Sequence, residues 1–191
     1  AALAAGKHIP HLCYHPEFRP HGSCKLCTVK LNGHSATSCT TPARAGMEVS
    51  SETKELNDER RMLVQLLFVE GNHFCPSCEK SGNCDLQHMG YELGISTSRF
   101  PHLFKDRLID YQPKRMVMEH NRCIKCRRCV EEVFTSDKKR VFMYINRGNE
   151  TRVGIDYEQE AKLTESEAEN AMKICPTGAI IVRGKSLTQP F

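Results

Sequence analysis

The chain has 191 residues, of which 39% are hydrophobic and eleven are cysteine, and its formal net charge is +4. This length allows one large domain or two to three small ones. It contains no run of eighteen apolar residues and no recognisable secretory signal, which argues against a membrane span and against export. We therefore expect a cytoplasmic protein, where reducing conditions favour clustered cysteines as metal ligands rather than disulfides.

The first of three cysteine groups consists of Cys13, Cys24, Cys27 and Cys39. Residues 28–31 alternate in polarity and are followed by Asn-Gly, the dipeptide of a type I′ hairpin turn, so the chain is predicted to return Cys39 towards Cys27. A further short strand is predicted at 47–50. One close pair of cysteines flanked by two distant ones suits a [2Fe-2S] cluster, whereas a zinc ribbon needs a second close pair.

A helix is predicted over the segment 56–71. Asn57 is placed to cap its start, acidic residues occupy its first turn, and Gly71 stands where a C′ glycine ends many helices. The apolar side chains expected to share one face are Met62, Leu63, Leu66 and Leu67. From 85 to 111 the pattern is weak, and we expect partly irregular chain there.

The second group has only three cysteines, Cys75, Cys78 and Cys84, one fewer than a cluster usually requires. The candidates for a fourth ligand are His73, His88, Glu70, Glu79 and Asp85. Imidazole is the common alternative to thiolate on iron, and Pro76 favours extended backbone at Cys75, which turns His73 and Cys75 to the same side. We expect His73 to be the ligand; the alternative is that it caps the preceding helix or packs under the loop.

The third group has the compact spacing C-x2-C-x2-C, with a distant Cys-Pro. Its members are Cys123, Cys126, Cys129 and Cys175. This spacing is typical of a [4Fe-4S] cluster in ferredoxins. The ligands of a second ferredoxin cluster would fall at Val133, Glu165, Ala168 and Ala171, none of which is cysteine, so one cluster is expected. Zinc is the alternative, but it prefers paired ligands.

Two alternating runs, 141–145 and 151–156, predict a hairpin in this third module. Thr164 and Glu167 then match a capping box that opens a helix through Met172. The basic residues at 125–128 and 138–140 predict solvated surfaces; alternatively, the first patch offsets the charge of a cluster or docks a partner. No aromatic stacking pattern accompanies them, so nucleic acid is not an expected partner.

Four segments carry a resemblance to a known family: IPHLCYHPEFRPHGSCKLC, GNHFCPSCEKSGNCDLQ, RCIKCRRC and CPTGAI, in this order. The chain resembles the small iron-sulfur subunit of the diaphorase module of NAD-reducing soluble [NiFe]-hydrogenases. It is also similar to the N-terminal part of the large iron-sulfur subunit of complex I and to [FeFe]-hydrogenases. Relatives usually carry a histidine four residues before the first cysteine of the middle group, where this chain has Gly71, so the role of His73 rests on geometry alone.

The resemblance implies an α+β fold in three parts: a truncated β-grasp [2Fe-2S] ferredoxin domain at 1–55, a helical His/Cys3 [4Fe-4S] segment at 56–112 and a bacterial-ferredoxin-like [4Fe-4S] domain at 113–191. The opening AALAAGKHIP looks like the tail of a helix, so the first β-grasp hairpin is expected to be missing.

In function, the resemblance implies a subunit that relays electrons through one [2Fe-2S] and two [4Fe-4S] clusters and makes no bonds itself. Its implied partners are a flavin-containing, NAD-binding diaphorase subunit and the small and large [NiFe]-hydrogenase subunits. The alternatives are the iron-sulfur subunit of an NAD-linked formate dehydrogenase or of a complex I-like NADH dehydrogenase, and a zinc-stapled interaction module without redox function.

Overall fold

A computed structural model describes residues 1–187, where helices are mixed with small antiparallel sheets, as the predicted α+β class requires at this level. The helices are α1 (Lys54–Glu70), α2 (Asp85–Glu92), α3 (Arg128–Glu132), α4 (Tyr157–Glu160) and α5 (Glu165–Ile174). The strands are β1 (Thr28–Leu31), β2 (His34–Thr37), β3 (Val49–Ser50), β4 (Ile109–Asp110), β5 (Met116–Glu119), β6 (Phe142–Ile145), β7 (Arg152–Ile155) and β8 (Ile180–Val182). The last four residues of the predicted 113–191 domain lie outside the described residues.

The predicted N-terminal hairpin is confirmed. Strand β1 pairs with β2, with Leu31 opposite His34, and Asn32 and Gly33 between them both have positive φ, at 47° and 83°. These left-handed angles are those of a type I′ turn. Strand β3 pairs with the other edge of β1. The opening residues 3–5 form a single 3-10 turn rather than the tail of a longer helix.

Helix α1 begins earlier than predicted. Its N-cap is Thr53, whose hydroxyl accepts a hydrogen bond from the Leu56 amide at 3.2 Å, so Asn57 lies inside the first turn. The Asn57 side chain instead accepts from the guanidinium of Arg60 at 2.9 Å. Threonine and asparagine are both good caps, and the tertiary partner of Asn57 decides between them.

The face that α1 buries also differs from the prediction. Leu63 and Leu67 pack against the core, but Met62 and Leu66 are each 42% exposed. The helix ends at Glu70 as predicted, yet Gly71 is extended (φ −87°, ψ 172°) and not in the left-handed conformation of a C′ glycine.

The segment 85–111 is more ordered at its start than predicted. Residues 85–92 form α2, whereas 93–108 carry neither helix nor strand, so the irregular prediction is wrong for the first part and confirmed for the second. Leu86 and Met89, three residues apart, are both buried, and this short apolar spacing was the available signal for a helix.

The third module is built on the sheet β4-β5-β8 and the predicted hairpin β6-β7, which is confirmed. Strand β4 pairs with β5, so this sheet starts before residue 113. The capping box of α5 is also confirmed: Thr164 accepts from the Glu167 amide, and Glu167 accepts from the Thr164 amide at 2.7 Å.

Two groups of buried apolar side chains are found within residues 1–187. One fills the third module and includes Val133, Ala168 and Ala171, the positions that a second ferredoxin cluster would need. The other joins all three predicted parts of the chain, and its members are Leu12, Leu26, Val64, Leu86, Met89 and Leu93, with Ile124 packed against it. This shared core brings the three cysteine groups close to one another.

Candidate metal centres

The first cysteine group converges through the hairpin. The Cys27 and Cys39 sulfurs lie 3.2 Å apart, and the Cys24 amide donates to the Cys13 sulfur at 3.4 Å. The pKa of Cys24 is lowered to about 5, chiefly because the Cys13 thiol donates a hydrogen bond to it and further because three backbone amides do. The structure therefore brings all four predicted residues together as two close pairs, one of them with a stabilised thiolate.

A buried arginine of α1 holds the loop around Cys27. The Arg60 side chain is 2% exposed, and it donates to the carbonyl oxygens of Leu26 at 3.0 Å, Thr28 at 2.9 Å and Ser51 at 2.5 Å. Leu26 and Thr28 are the two neighbours of Cys27 in the chain. Sequence reasoning missed this residue, because a guanidinium in the middle of a helix usually faces solvent.

We expect Arg60→Lys to destabilise the protein by about 1–3 kcal/mol, because an ammonium cannot reach three separated carbonyl groups and leaves some of them unpaired. The shift in the urea unfolding midpoint and the iron content of the purified variant measure the effect. Arg61→Lys, on the partly exposed side of the same helix, is the matched control and should change stability by no more than about 0.5 kcal/mol. Equal losses in the two variants would contradict a special role for Arg60.

The second cysteine group lines a cavity of about 250 Å³. His73, Cys75, Cys78 and Cys84 all contribute to its wall. Cys84 precedes α2, and the amides of Leu86 and Gln87 donate towards its sulfur, while burial raises its pKa. Three thiols and one imidazole thus face a common space at the mouth of a helix.

His73 has a free ring nitrogen in this cavity. Its Nε2 atom is buried and has no hydrogen-bond partner, and burial followed by the nearby Arg107 and Arg122 charges lowers its pKa to about 4. The imidazole is therefore neutral at neutral pH, the form that binds metals. A Cβ atom at Gly71 would clash with this Nε2, so the close approach of the ring explains the glycine.

The other candidates for the fourth ligand are engaged elsewhere. The His88 side chain is 73% exposed, outside the cavity wall. Of the carboxylates, Glu70 pairs with Lys125 and Arg107, Glu79 pairs with Arg122, and Asp85 pairs with Arg128. His73 is the candidate that lines the cavity, although the expected extended backbone at Cys75 is wrong, because residues 75–77 form a 3-10 turn.

The third group surrounds a small enclosed cavity lined by all four predicted residues, Cys123, Cys126, Cys129 and Cys175. Left-handed backbone at Lys125 and Arg127 (φ 54° and 71°) curves the chain so that amides point at the sulfurs. The Ala179 amide donates to the Cys175 sulfur at 3.2 Å. Burial raises the pKa of Cys123 to about 11 and of Cys126 to about 12, so binding iron as thiolates releases protons.

Within residues 1–187, no three histidine, cysteine or acidic side chains are spaced to hold a single metal ion. Tetrahedral zinc needs four ligands about 2.0–2.3 Å from one point. Cysteines spread around a cavity instead match a polynuclear cluster, which contributes its own iron and sulfide atoms between the ligands.

The basic patch at 125–128 is not a uniformly solvated surface. Lys125 pairs with Glu70 at 2.7 Å, and the Arg128 side chain is only 7% exposed, so the solvated interpretation is wrong for Arg128. As for membranes, the described helices include none with the length and apolar character needed to cross a bilayer.

Three family models match consecutive parts of the chain. The "2Fe-2S iron-sulfur cluster binding domain" matches residues 1–54, and the "NADH-ubiquinone oxidoreductase-G iron-sulfur binding region" matches 60–99. The "NADH-quinone oxidoreductase subunit 3, ferredoxin-like domain" matches 114–181.

Curated relatives with the same arrangement include the alpha subunit of the NADPH-Fe(3+) oxidoreductase of Geobacter sulfurreducens and a subunit of the NADH-quinone oxidoreductase of Rickettsia typhi. Both are 32% identical over 95% and 94% of this chain, which spans only 21% and 27% of their own length.

Two further comparisons cover the whole chain. The gamma subunit of the NAD-reducing hydrogenase HoxS of Cupriavidus necator is 42% identical over 100% of this chain and 82% of its own length. A chain in the crystal structure of an NAD+-reducing [NiFe]-hydrogenase in the H2-reduced state superposes with a TM-score of 0.88 at 40% identity, again over 100% of this chain and 82% of the other. The chain therefore belongs to the family of the gamma subunits of NAD-reducing hydrogenases.

Proposed function

We propose that this chain is the electron-transfer iron-sulfur subunit of an NAD-reducing hydrogenase complex. It carries electrons between a flavin-containing, NAD-binding subunit and the small and large [NiFe]-hydrogenase subunits in the cytoplasm. The match to a HoxS gamma subunit over the whole chain supports this role. The NADH dehydrogenase and formate dehydrogenase alternatives have less support, since the complex I relative is less similar and much longer. Nickel in the purified complex would support the proposal, whereas molybdenum would support a formate dehydrogenase.

We assign all eleven cysteines and one histidine to three clusters. A [2Fe-2S] cluster is held at 1–55 by Cys13, Cys24, Cys27 and Cys39. A [4Fe-4S] cluster is held at 56–112 by His73, Cys75, Cys78 and Cys84. A second [4Fe-4S] cluster is held at 113–191 by Cys123, Cys126, Cys129 and Cys175. The observation that carries the assignment is the buried, unpartnered His73 Nε2 beside three cysteines, because a polar atom without a partner is costly unless a ligand binds it.

When bound, such clusters accept and release one electron each, at potentials set by ligand type, hydrogen bonds and burial. The residues of this chain supply those settings. Backbone amides donate to the sulfurs of Cys24, Cys84 and Cys175, which stabilises negative charge there. Apolar side chains such as Met118 and Ile180 line the third cavity and exclude water. An imidazole ligand at the middle site replaces an anionic thiolate by a neutral ligand.

The contacts between the sites suggest that the third cluster is the central one. The His21 ring donates to the Cys126 carbonyl at 2.6 Å, linking the first and third sites. The Asp85 amide, next to Cys84, donates to the Pro176 carbonyl at 2.9 Å, next to Cys175, and links the middle and third sites.

Anaerobic iron and sulfide analysis of the purified chain tests the assignment. We expect about ten iron atoms per chain and a visible absorption that bleaches on reduction. A colourless protein that contains zinc and little iron would contradict the proposal and support the zinc-stapled module.

A further inference from the structure

We infer that Arg128 is a positioning residue that holds the binding loops of all three clusters in fixed relative positions. The inference rests on the proposed function. Arg128 lies between Cys126 and Cys129 in the third site, and its side chain is 7% exposed. A buried guanidinium needs partners for its donors, so the groups it contacts identify what it holds.

The partners of Arg128 come from three separate parts of the chain. Its Nη2 atom donates to the Tyr14 carbonyl at 2.9 Å, directly after Cys13. Its Nη1 atom donates to the Ile174 carbonyl at 3.3 Å, directly before Cys175, and to the Asp85 carboxylate at 3.3 Å, directly after Cys84. Each partner is therefore the chain neighbour of a proposed ligand, and each ligand belongs to a different cluster.

The side chain and the backbone of Arg128 act on the same group of sites. Its backbone amide donates to the sulfur of Cys126, which favours the thiolate. The Asp85 carboxylate is 50% exposed, so the two carbonyl contacts carry most of the interaction. The planar guanidinium points its donors in fixed directions, whereas a lysine ammonium in its place has one nitrogen on a flexible stem.

Two measurable consequences follow. Electron tunnelling between clusters slows steeply with separation, so looser loops reduce the transfer rate. The positive charge beside the third cluster favours its reduced form, so removing that charge lowers the midpoint potential of this cluster. A lysine keeps the charge but not the three contacts, and therefore separates the two effects.

The experiment uses Arg128→Lys and Arg128→Met in the complete complex. Iron content, the midpoint potential of each cluster, and the magnetic interaction between reduced clusters in pulsed EPR are compared with the wild type. We expect both variants to weaken or broaden the magnetic interactions and to slow electron transfer by about 10-fold or more, in line with the cost of an ångström-scale misplacement. Only Arg128→Met should also shift the third cluster to a lower potential.

Arg127→Met is the matched control, because it removes the same charge from the next residue, whose partner is Glu131 of the same module at 2.5 Å. This control should keep the magnetic interactions of the wild type. Wild-type interactions in both Arg128 variants would overturn the inference. If Arg128→Met does not load with iron, Arg128→Lys decides alone, and unchanged interactions there overturn it. A wild-type chain that lacks the three clusters would instead overturn the proposed function.

Discussion

Alanine in place of His73 is expected to remove the middle cluster, so that iron falls from about ten to about six atoms per chain. The Nε2 atom of His73 is buried, has no partner in the protein and lies in the wall of the cavity that also contains Cys75, Cys78 and Cys84. Without this ring one iron corner lacks a protein ligand and is open to water. Iron and sulfide analysis with low-temperature EPR of the reduced protein measures the loss.

His88→Ala is the matched control, because His88 was the other histidine candidate and is 73% exposed. It should leave the iron content and the EPR signals unchanged. His73→Cys should keep a cluster, but with an altered potential, because a thiolate adds negative charge at one iron. Gly71→Ala tests the same geometry from the backbone, since its methyl group would clash with Nε2 and displace the ring. A middle cluster with unchanged spectrum and potential in His73→Ala would show that the assignment is wrong.

The largest loss of stability is expected for Glu160→Ala in the third module, at about 3–5 kcal/mol. Glu160 has no exposed surface, and its carboxylate accepts from the amides of Lys114 at 2.8 Å, Arg115 at 2.6 Å and Met116 at 3.1 Å. These amides lead into β5, the central strand of the sheet. The variant leaves three donors unpaired and opens a cavity, and the urea unfolding midpoint measures the cost.

Two variants at α4 separate the carboxylate from the helix. Glu158→Ala changes an exposed acid of the same short helix and should alter stability by no more than about 0.5 kcal/mol. Glu160→Gln keeps the volume, but its amide NH2 cannot accept from a backbone N–H, so an intermediate loss is expected. If Glu160→Ala and Glu158→Ala unfold at the same urea concentration, the three amides find other partners and the argument fails.

Local patterns predicted much of the secondary structure. The Asn32-Gly33 turn and the Thr164 capping box were both identified correctly, because each depends on a few adjacent residues. The prediction was poorer where tertiary contacts compete with local preference. Helix α1 starts at Lys54 because Asn57 is drawn to Arg60, and α2 was missed because an eight-residue helix has little periodicity of its own.

The candidate sites show the same division. Cysteine spacing was sufficient to propose two four-cysteine groups, and each of them converges in the structure. The preference for His73 was correct about which histidine lies beside Cys75, but for an incorrect reason, because the chain turns there instead of extending. No sequence pattern indicated that Arg60 and Arg128 are buried, since a pattern of charges does not show which of them lose contact with water.

By itself the sequence determined which residues are able to bind metal and in what groups, because thiolate chemistry and ligand spacing are local properties of the chain. Only the tertiary structure decided which histidine has a free nitrogen, which carboxylates are neutralised, and how the three groups are held together. Those properties depend on burial and on partners distant in sequence: Arg128 contacts Tyr14, 114 positions away. The missing fourth ligand of the middle group was thus a question that packing, and not spacing, could address.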